Sequence, residues 1–520
     1  MAKEFICSAT SPVVQTKAGK LRGFVVDGTY TFHGIKYADA KRFQMPQPVA
    51  PWEGIRDALS YGYVSPILNR ETASGEVKIP HRYWPKDENC QYLNVWTQSL
   101  DPQAKRPVMV WLHGGGFRDG SSIEHVAYDG ENLSRFGDVV VVTVNHRLNI
   151  LGYLDLSPYG EKYWNSGNAG NADLVASLQW VHDNIAQFGG DPENVTIFGQ
   201  SGGGGKVSSL MQTPAANGLF QKGIIMSGVY NGTLCPEKPD SRPLVQAMLQ
   251  ELGLAEEDIE QLETLPYEAL AEAYKKVSPA IQEKGGYVGC VPIPNEYYPG
   301  DPRVVGFTPH ARTIPVLVGT VIGEMCTFGP GLPDRRTRSR EDQLTYLRKF
   351  LGDKTEELVP LFEECYPGRP ITDLVLLDTF SRVATKDFCR KKAEHAQSAT
   401  YNYLFTFDFP IDDGTPAWHC ADIPFVFHNT DKVPVCNIPG VSDQLEETMS
   451  SLFVNFARTG VPTAPGLPQW DPCVPGDLPT MLLDRECKLV HNFDDKLYEA
   501  YLPVAVNPKD LHEEEVTMLH

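Results

Sequence analysis

The sequence predicts an α/β fold: a mostly parallel central sheet flanked by helices, with a small antiparallel sheet at the N-terminus. Three observations carry that expectation. From about residue 92 the chain turns to short continuous apolar runs, the pattern of strands buried on both faces of a parallel sheet. Between two of those runs, residues 172–190 space their apolar side chains at helical intervals, and strands alternating with helices build an open α/β sheet. Residues 12–37 instead alternate apolar and polar residues with Gly between them, as antiparallel strands joined by tight turns do.

In chain order, the apolar runs are YLNVW from Tyr92, PVMVWL at 107–112, DVVVVTVN at 138–145, NVTIFG at 194–199 and KGIIMSG at 222–228. The helix between the third and fourth carries Leu174, Val175, Leu178, Val181 and Ile185 on its apolar stripe, and Gly189–Gly190 ends it. An acidic helical stretch follows at 243–265. IPVLVGT at 314–320 is another strand, 340–400 is mostly helical, and YNYLFTFDF at 401–409 is a further strand. The tail from Asn507 is polar and acidic and is expected to fray.

The 520 residues carry 46 Lys+Arg against 66 Asp+Glu, a formal net charge of −20, which argues against a nucleic-acid partner. No apolar run approaches the ~20 residues of a membrane helix, so no membrane insertion is expected. The first residues, MAKEFICSATSP, lack the apolar core of a secretory signal. Eleven cysteines at scattered spacings without a CxxC pair read as free thiols in a reducing compartment, which points to a cytoplasmic protein. The sequons at Asn132, Asn194 and Asn231 are then chance occurrences. No metal-ligand spacing is present, and neither a metal nor an organic cofactor is called for.

The segment NVTIFGQSGGGGKV holds the pattern G-x-S-x-G at Gly199–Gly203, directly after a strand and opening a helix. Such a turn projects the Ser201 hydroxyl out of the sheet, and the N–H of Gly202 lies at the positive end of the helix. A phosphate loop is excluded: its first glycine would fall on Gln200 and its hydroxyl on Val207, although Gly205–Lys206 supplies the GK pair. Upstream, the strand at 107–112 runs into His113-Gly114-Gly115-Gly116-Phe117. Glycines there let the backbone approach a substrate oxygen, and the N–H groups of Gly115, Gly116 and Gly202 form a candidate oxyanion hole. A dinucleotide loop fails because position 119 is Asp119.

These motifs, together with FHGIKYADAKRF (32–43), DENCQYLNVW (87–96), VNHRLNILGYL (144–154) and the run from Gly167 to Gly203, make the chain resemble the type-B carboxylesterases, the cholinesterase-like branch of the α/β-hydrolases. The resemblance implies an α/β-hydrolase fold in one domain over 1–520, with a small sheet in 1–40 and mainly helical insertions at 230–310 and 330–400 around the site. It also implies an acid at Glu324, after the strand IPVLVG, and a base at His419 in TPAWHCADIPFVF. Asp422 is the alternative acid, and Ser227 is expected to pack near the site. Arg42 and Glu88 match a structural ion pair of the family. Three departures stand out: the elbow reads GQSGG where the family has GESAG, Met325 follows the acid where a glycine is usual, and Cys420 follows the base where the family has glycine. The family disulfide of Cys90 is expected to be absent, Cys7 being the one upstream cysteine.

The implied activity is hydrolysis of small-molecule esters of small to medium apolar or aromatic acids and alcohols. Ser201 attacks, His419 transfers the proton, Glu324 orients the imidazole, and an acyl-enzyme is formed and hydrolysed. His419 must be neutral to act, so activity is expected to fall in acid. Phe117, Trp418, Tyr230 and Phe328 are the expected pocket residues, with Tyr83 and Trp84 as further candidates for its wall. An amidase or carbamate hydrolase would use the same residues and is the alternative. An adhesion-like binding member of the fold would lack the nucleophile, and an interfacial lipase would need a less acidic lid. Monomer and homodimer are both compatible with the sequence.

Overall fold

The computed structural model describes residues 4–68, 79–232, 235–326, 334–395, 397–411, 414–506 and 511. Phe328, expected in the pocket, and the tail expected to fray lie outside these residues, Leu511 excepted.

The main sheet among the described residues is built from β1 (Phe5–Ile6), β2 (Phe24–Val26), β3 (Thr29–Lys36), β4 (Tyr92–Thr97), β5 (Arg106–Leu112), β6 (Val140–Val144), β7 (Gly190–Gln200), β8 (Lys222–Met226), β9 (Val316–Val321), β10 (Thr400–Phe405), β11 (Pro479–Leu483) and β12 (Lys488–His491). Their spatial order is β1-β2-β3-β4-β6-β5-β7-β8-β9-β10-β11-β12. From β6 to β11 every neighbouring pair is parallel. The pairs on either flank are antiparallel.

The principal helices are α1 (Ala169–Asn184), α2 (Gly202–Gln212), α3 (Arg242–Glu251), α4 (Tyr267–Glu283), α5 (Arg340–Leu351), α6 (Thr355–Cys365), α7 (Arg382–His395) and α8 (Ser442–Thr459). The period-two side-chain alternation of the strands decides which layer each helix joins. Val108, Val110, Leu112, Val140, Val142, Val195 and Ile197 point to one face and pack with Leu174, Leu178 and Val181 of α1. Their neighbours Met109, Trp111, Val141 and Phe198 point to the other and pack with Leu445, Met449, Leu452 and Phe456 of α8. Both faces are covered, which is why these strands read as unbroken apolar runs. A separate cluster joins α3 and α4 to the segment after β6 through Ile150, Leu154, Leu244, Met248 and Leu270.

The structure redraws two of the sequence expectations. YLNVW is a central strand, but β4 pairs antiparallel on both sides, so continuous burial there reflects coverage and not strand direction. The N-terminal meander divides: Val13–Gln15 pairs with Lys20–Arg22, which pairs in turn with Ile55–Asp57 in a small separate sheet, whereas β2 and β3 extend the main one. The helix of the central crossover ends as its glycine demands. Gly189 sits at φ +74°, and a Cβ on it would lie 2.5 Å from the Ser99 carbonyl oxygen.

A buried ion pair fastens α1 to the loop after β6. Arg147 donates from Nη2 and Nε to Asp173 at 2.7 and 2.8 Å, the Arg147 backbone N–H adds a third bond at 3.0 Å, and both side chains are almost wholly buried. Removing one partner strands a charge in the interior, which typically costs about 3–5 kcal/mol. Asp173→Ala is therefore expected to lower unfolding stability by that amount, read from the urea midpoint. A loss below ~1 kcal/mol would mean that solvent reaches Arg147.

Candidate active site

Parallel strands carry every segment of the site to one edge of the sheet. Leu112 lies opposite Gly199, Gln200 opposite Met226, Met226 opposite Gly319 and Gly319 opposite Tyr403. The loops leaving the carboxyl ends of β5, β7 and β9 are therefore neighbours, the place where open α/β sheets bind ligands.

Ser201 stands between β7 and α2 with φ +58° and ψ −128°, a strained conformation for a residue with a side chain. Its N–H donates to the Met226 carbonyl at 2.8 Å and its carbonyl accepts from Gly205 at 3.1 Å, so the turn is tied to β8 and to the helix. A Cβ at Gly203 would stand 1.9 Å from the Leu112 carbonyl oxygen, and one at Gly202 would stand 2.1 Å from that of Gly116. Only glycine fits at either place. That explains one departure from the family elbow: an alanine at 202 would strike the glycine loop at Gly116.

That loop is fixed by its carbonyls. The His113 carbonyl accepts from Lys206 Nζ at 2.8 Å, that of Gly114 from His113 Nδ1 at 2.9 Å, and that of Gly115 from the Asp119 N–H at 3.0 Å. The Phe117 carbonyl accepts from the Asn149 N–H at 2.8 Å and that of Arg118 from Asn149 Nδ2 at 3.1 Å. Gly115 and Gly116 lie at φ +82° and +65°. Gly202 opens α2, so its N–H has no acceptor within the helix.

Glu324 follows β9 and is completely buried. Its Oε1 accepts from the Val321 N–H at 3.0 Å, and its Oε2 lies 2.5 Å from Nδ1 of His419. The His419 N–H in turn donates to the Glu324 carbonyl at 3.2 Å. Gln200, next to Ser201, places its amide nitrogen 3.2 Å from Nε2 of the same imidazole. The elbow and the Glu324–His419 pair thus face each other. Tyr230 donates its hydroxyl to Ser201 Oγ at 3.3 Å. Burial pushes the Tyr230 pKa up, so that hydroxyl stays protonated.

Asp422 is not the partner of His419. Its Oδ2 accepts from the Tyr403 hydroxyl at 2.9 Å, and its Oδ1 meets no donor among the described residues. Burial, reinforced by the charge of Glu324, pushes its pKa up to about 7. Asp378 is raised by the same two causes, although the N–H groups of Phe380, Ser381 and Arg382 donate to it. Ser227 is buried at the end of β8, its N–H donating to Gly319 at 2.7 Å.

Of the expected pocket residues, Phe117 and Tyr230 line one small cavity of about 40 Å³ together with Gly205, Val229, Tyr298 and Phe388. Trp418 is not among the residues that line this cavity. It has no exposed surface and packs on Phe409 with ring centroids 4.4 Å apart, beside the bridge that its backbone forms with Gly323. A larger cavity of about 110 Å³ opens over Gly114, Gly115, Gln200 and Cys420, with the exposed Tyr83 and Trp84 on its rim. Two residues that the motif reading passed over are Gln200 and Cys420 as a pair: the Cys420 thiol donates to Gln200 Oε1 at 3.2 Å. Both are departures from the family pattern, and that shared status was the available signal. Arg42 meets Glu88 as expected and also donates to the carbonyls of Leu262 and Leu265. Cys7 and Cys90 are both free.

A sequence profile described as the Carboxylesterase family matches residues 10–501. The chain belongs to that family. It is 32% identical over 502 residues to the para-nitrobenzyl esterase of Bacillus subtilis (strain 168), covering 95% of this chain and 99% of that one. It is 31% identical over 495 residues to the phenmedipham hydrolase of Pseudarthrobacter oxydans, covering 91% and 95%. Among solved structures, an esterase from anaerobic Clostridium hathewayi that can hydrolyze aliphatic aromatic polyesters matches with a TM-score of 0.94 and 56% identity over 97% of this chain and 100% of that one. This carboxylesterase therefore has the α/β-hydrolase fold and is a carboxylic-ester hydrolase of the serine type. An amidase reading has no better support among these relatives.

Two expectations follow from the site. Gly202→Ala should push Gly116 aside and lower kcat by about 10², the lower end for loss of an oxyanion donor, with KM changed less. An unaltered kcat would place the hole elsewhere. Asp422 holds its proton more tightly folded than unfolded, so the folded state binds more protons between the ordinary carboxylate range and about 7, and stability falls as pH rises through that window. Asp422→Asn should accordingly gain in melting temperature relative to wild type from pH 5 to pH 8. A difference independent of pH would show that Asp422 keeps one ionisation state.

Proposed function

We propose that this carboxylesterase acts through Ser201 as nucleophile, His419 as base and Glu324 as the orienting acid, with the N–H groups of Gly115, Gly116 and Gly202 as oxyanion donors. The observation that carries the assignment is the 2.5 Å contact of Glu324 with Nδ1 of His419, on an imidazole whose other nitrogen faces the Ser201 elbow. Glu324 fixes the tautomer with the proton on Nδ1, so that Nε2, on the side of the elbow and within reach of the Gln200 amide, is the nitrogen that accepts the Ser201 proton. Oγ then attacks the ester carbonyl, and the oxygen that gains charge meets backbone donors already in place. His419 returns the proton to the leaving alcohol, and water repeats the sequence to free the acid. The Tyr230 hydroxyl holds Oγ in the resting site.

The cavity above the glycines is small at its floor and aromatic at its rim, which supports short-chain and aryl esters as substrates. The 56% identity to the Clostridium hathewayi esterase supports a second class, aromatic–aliphatic polyesters, whose aromatic units would rest on Tyr83 and Trp84. The free state of the eleven cysteines supports a cytoplasmic setting. No helix among the described residues is long and apolar enough to cross a membrane.

Hydrolysis of a p-nitrophenyl ester series by wild type and variants tests the assignment. Ser201→Ala is expected to fall to near background, and Glu324→Gln to lose about 10⁴ in kcat, as when a triad acid is replaced by its amide. Tyr230→Phe gives up one neutral hydrogen bond and is expected to cost less than about tenfold. Equal rates for wild type and Ser201→Ala would overturn the assignment. Release of aromatic acid from a polyester film by wild type, and its loss on Trp84→Ala with p-nitrophenyl acetate hydrolysis retained, would support the second class.

A further inference from the structure

The Gly205–Lys206 pair left over from the rejected phosphate loop has a place in the structure that the triad does not explain. Lys206 lies on α2, with no exposed surface. Its Nζ donates to the His113 carbonyl at 2.8 Å and stands over the Phe117 ring, 5.9 Å from the centroid. Among the described residues no carboxylate comes within ion-pair distance of it. A buried charge without an ion-pair partner is costly, and the bond to the His113 carbonyl is the compensation that this one receives.

The groups that face it are His113 and His146, and the carboxylate of Glu124 beyond them. Burial and the nearby Lys206 hold both imidazoles well below their ordinary range, so they are neutral. Three of their ring nitrogens, His113 Nε2 and both of His146, meet no partner among the described residues. Lys206 is thus the positive charge buried against the oxyanion loop, and the carbonyl it grips belongs to the residue before the glycines.

We propose that Lys206 is a positioning residue of the oxyanion hole: its ammonium anchors the His113 carbonyl, sets the glycine loop against α2, and adds positive potential where the substrate oxygen gains charge. A charge-assisted bond is stronger than a neutral one and polarises the peptide it holds. The benefit is larger in the transition state than in the ground state, so it enters kcat and not KM. Burial pushes the Lys206 pKa down to about 7, with Glu124 opposing, so the ammonium is lost as pH rises above neutral.

The proposal rests on the triad assignment above, and the experiment separates the two. Wild type, Lys206→Met and Lys206→Arg are compared as full-length chains. Active fraction is titrated with a fluorophosphonate, kcat and KM are measured with p-nitrophenyl butyrate from pH 5.5 to 9.5, and a trifluoromethyl ketone is used as the oxyanion-forming inhibitor. Lys206→Met is expected to lose 10- to 100-fold in kcat at pH 6.5 with KM within threefold, to lose ketone affinity by the same factor, and to lack the alkaline fall in kcat shown by wild type. Lys206→Arg should recover part of kcat. A kcat within twofold of wild type, or pH profiles of the same shape in wild type and Lys206→Met, would overturn the proposal. Should Lys206→Met fail to fold, the wild-type ketone affinity decides alone: a decline above neutral supports the role and a flat profile overturns it. Failure of the fluorophosphonate to label Ser201 in wild type would strike the nucleophile assignment instead.

Discussion

The turn at Ser201 is held in a conformation that costs a residue with a side chain of order 1–3 kcal/mol. It persists because the start of α2 is pressed against the end of β5, with Gly203 on the Leu112 carbonyl and Gly202 on that of Gly116. Strand order makes this contact possible. β5 lies beside β7, so the loop leaving one crosses the helix opening from the other. The proposed nucleophile and the proposed oxyanion donors are therefore set by one packing contact between two backbones. That contact admits no side chain, which is why the elbow of this chain has glycines on both positions after the serine.

Around that contact the interior is unusually acidic. Glu324, Asp378 and Asp422 are all buried near the base, and the two aspartates are pushed upward by burial and by Glu324. Like charges in a low-dielectric interior do not all ionise. Glu324 is the carboxyl in contact with the His419 imidazole. The others are tied to neutral donors, Asp422 to the Tyr403 hydroxyl and Asp378 to backbone N–H groups at the start of α7. The environment thus distinguishes three carboxyls of similar chemistry.

Much of this was legible in the chain. The continuous apolar runs located β5 to β9 because burial on both faces leaves a composition signature, and GxSxG, HGGG and the segments of Glu324 and His419 located the groups that the structure brings together. Strand direction was not legible for β4, since a strand covered on both sides looks the same whichever way its neighbours run. β11 and β12 went unread because Pro479–Leu483 and Lys488–His491 are short and not set off by their surroundings. The burial of Trp418 was not legible, since closeness to His419 in sequence does not show that its ring packs on Phe409 without exposed surface. Lys206 was seen only as a failed phosphate motif, since a sequence shows a lysine's charge but not its burial.

The departures from the family pattern at Gln200 and Cys420 are best understood together. Each sits beside a proposed catalytic group, Gln200 before Ser201 and Cys420 after His419, and the thiol of one donates to the amide of the other. A carboxylate at 200 would bring a further negative charge toward the imidazole that Glu324 already serves, in an interior where two aspartates are already held back from ionising. The amide avoids that charge while keeping a donor toward His419. It then needs a partner for its oxygen, and the side chain at 420 supplies one. Cys420 does so from φ +75°, a conformation that favours glycine, so the thiol is retained against a backbone cost. The hydrogen bond from Cys420 and the neutral charge of Gln200 thus belong together, two departures joined by one contact beside the proposed triad.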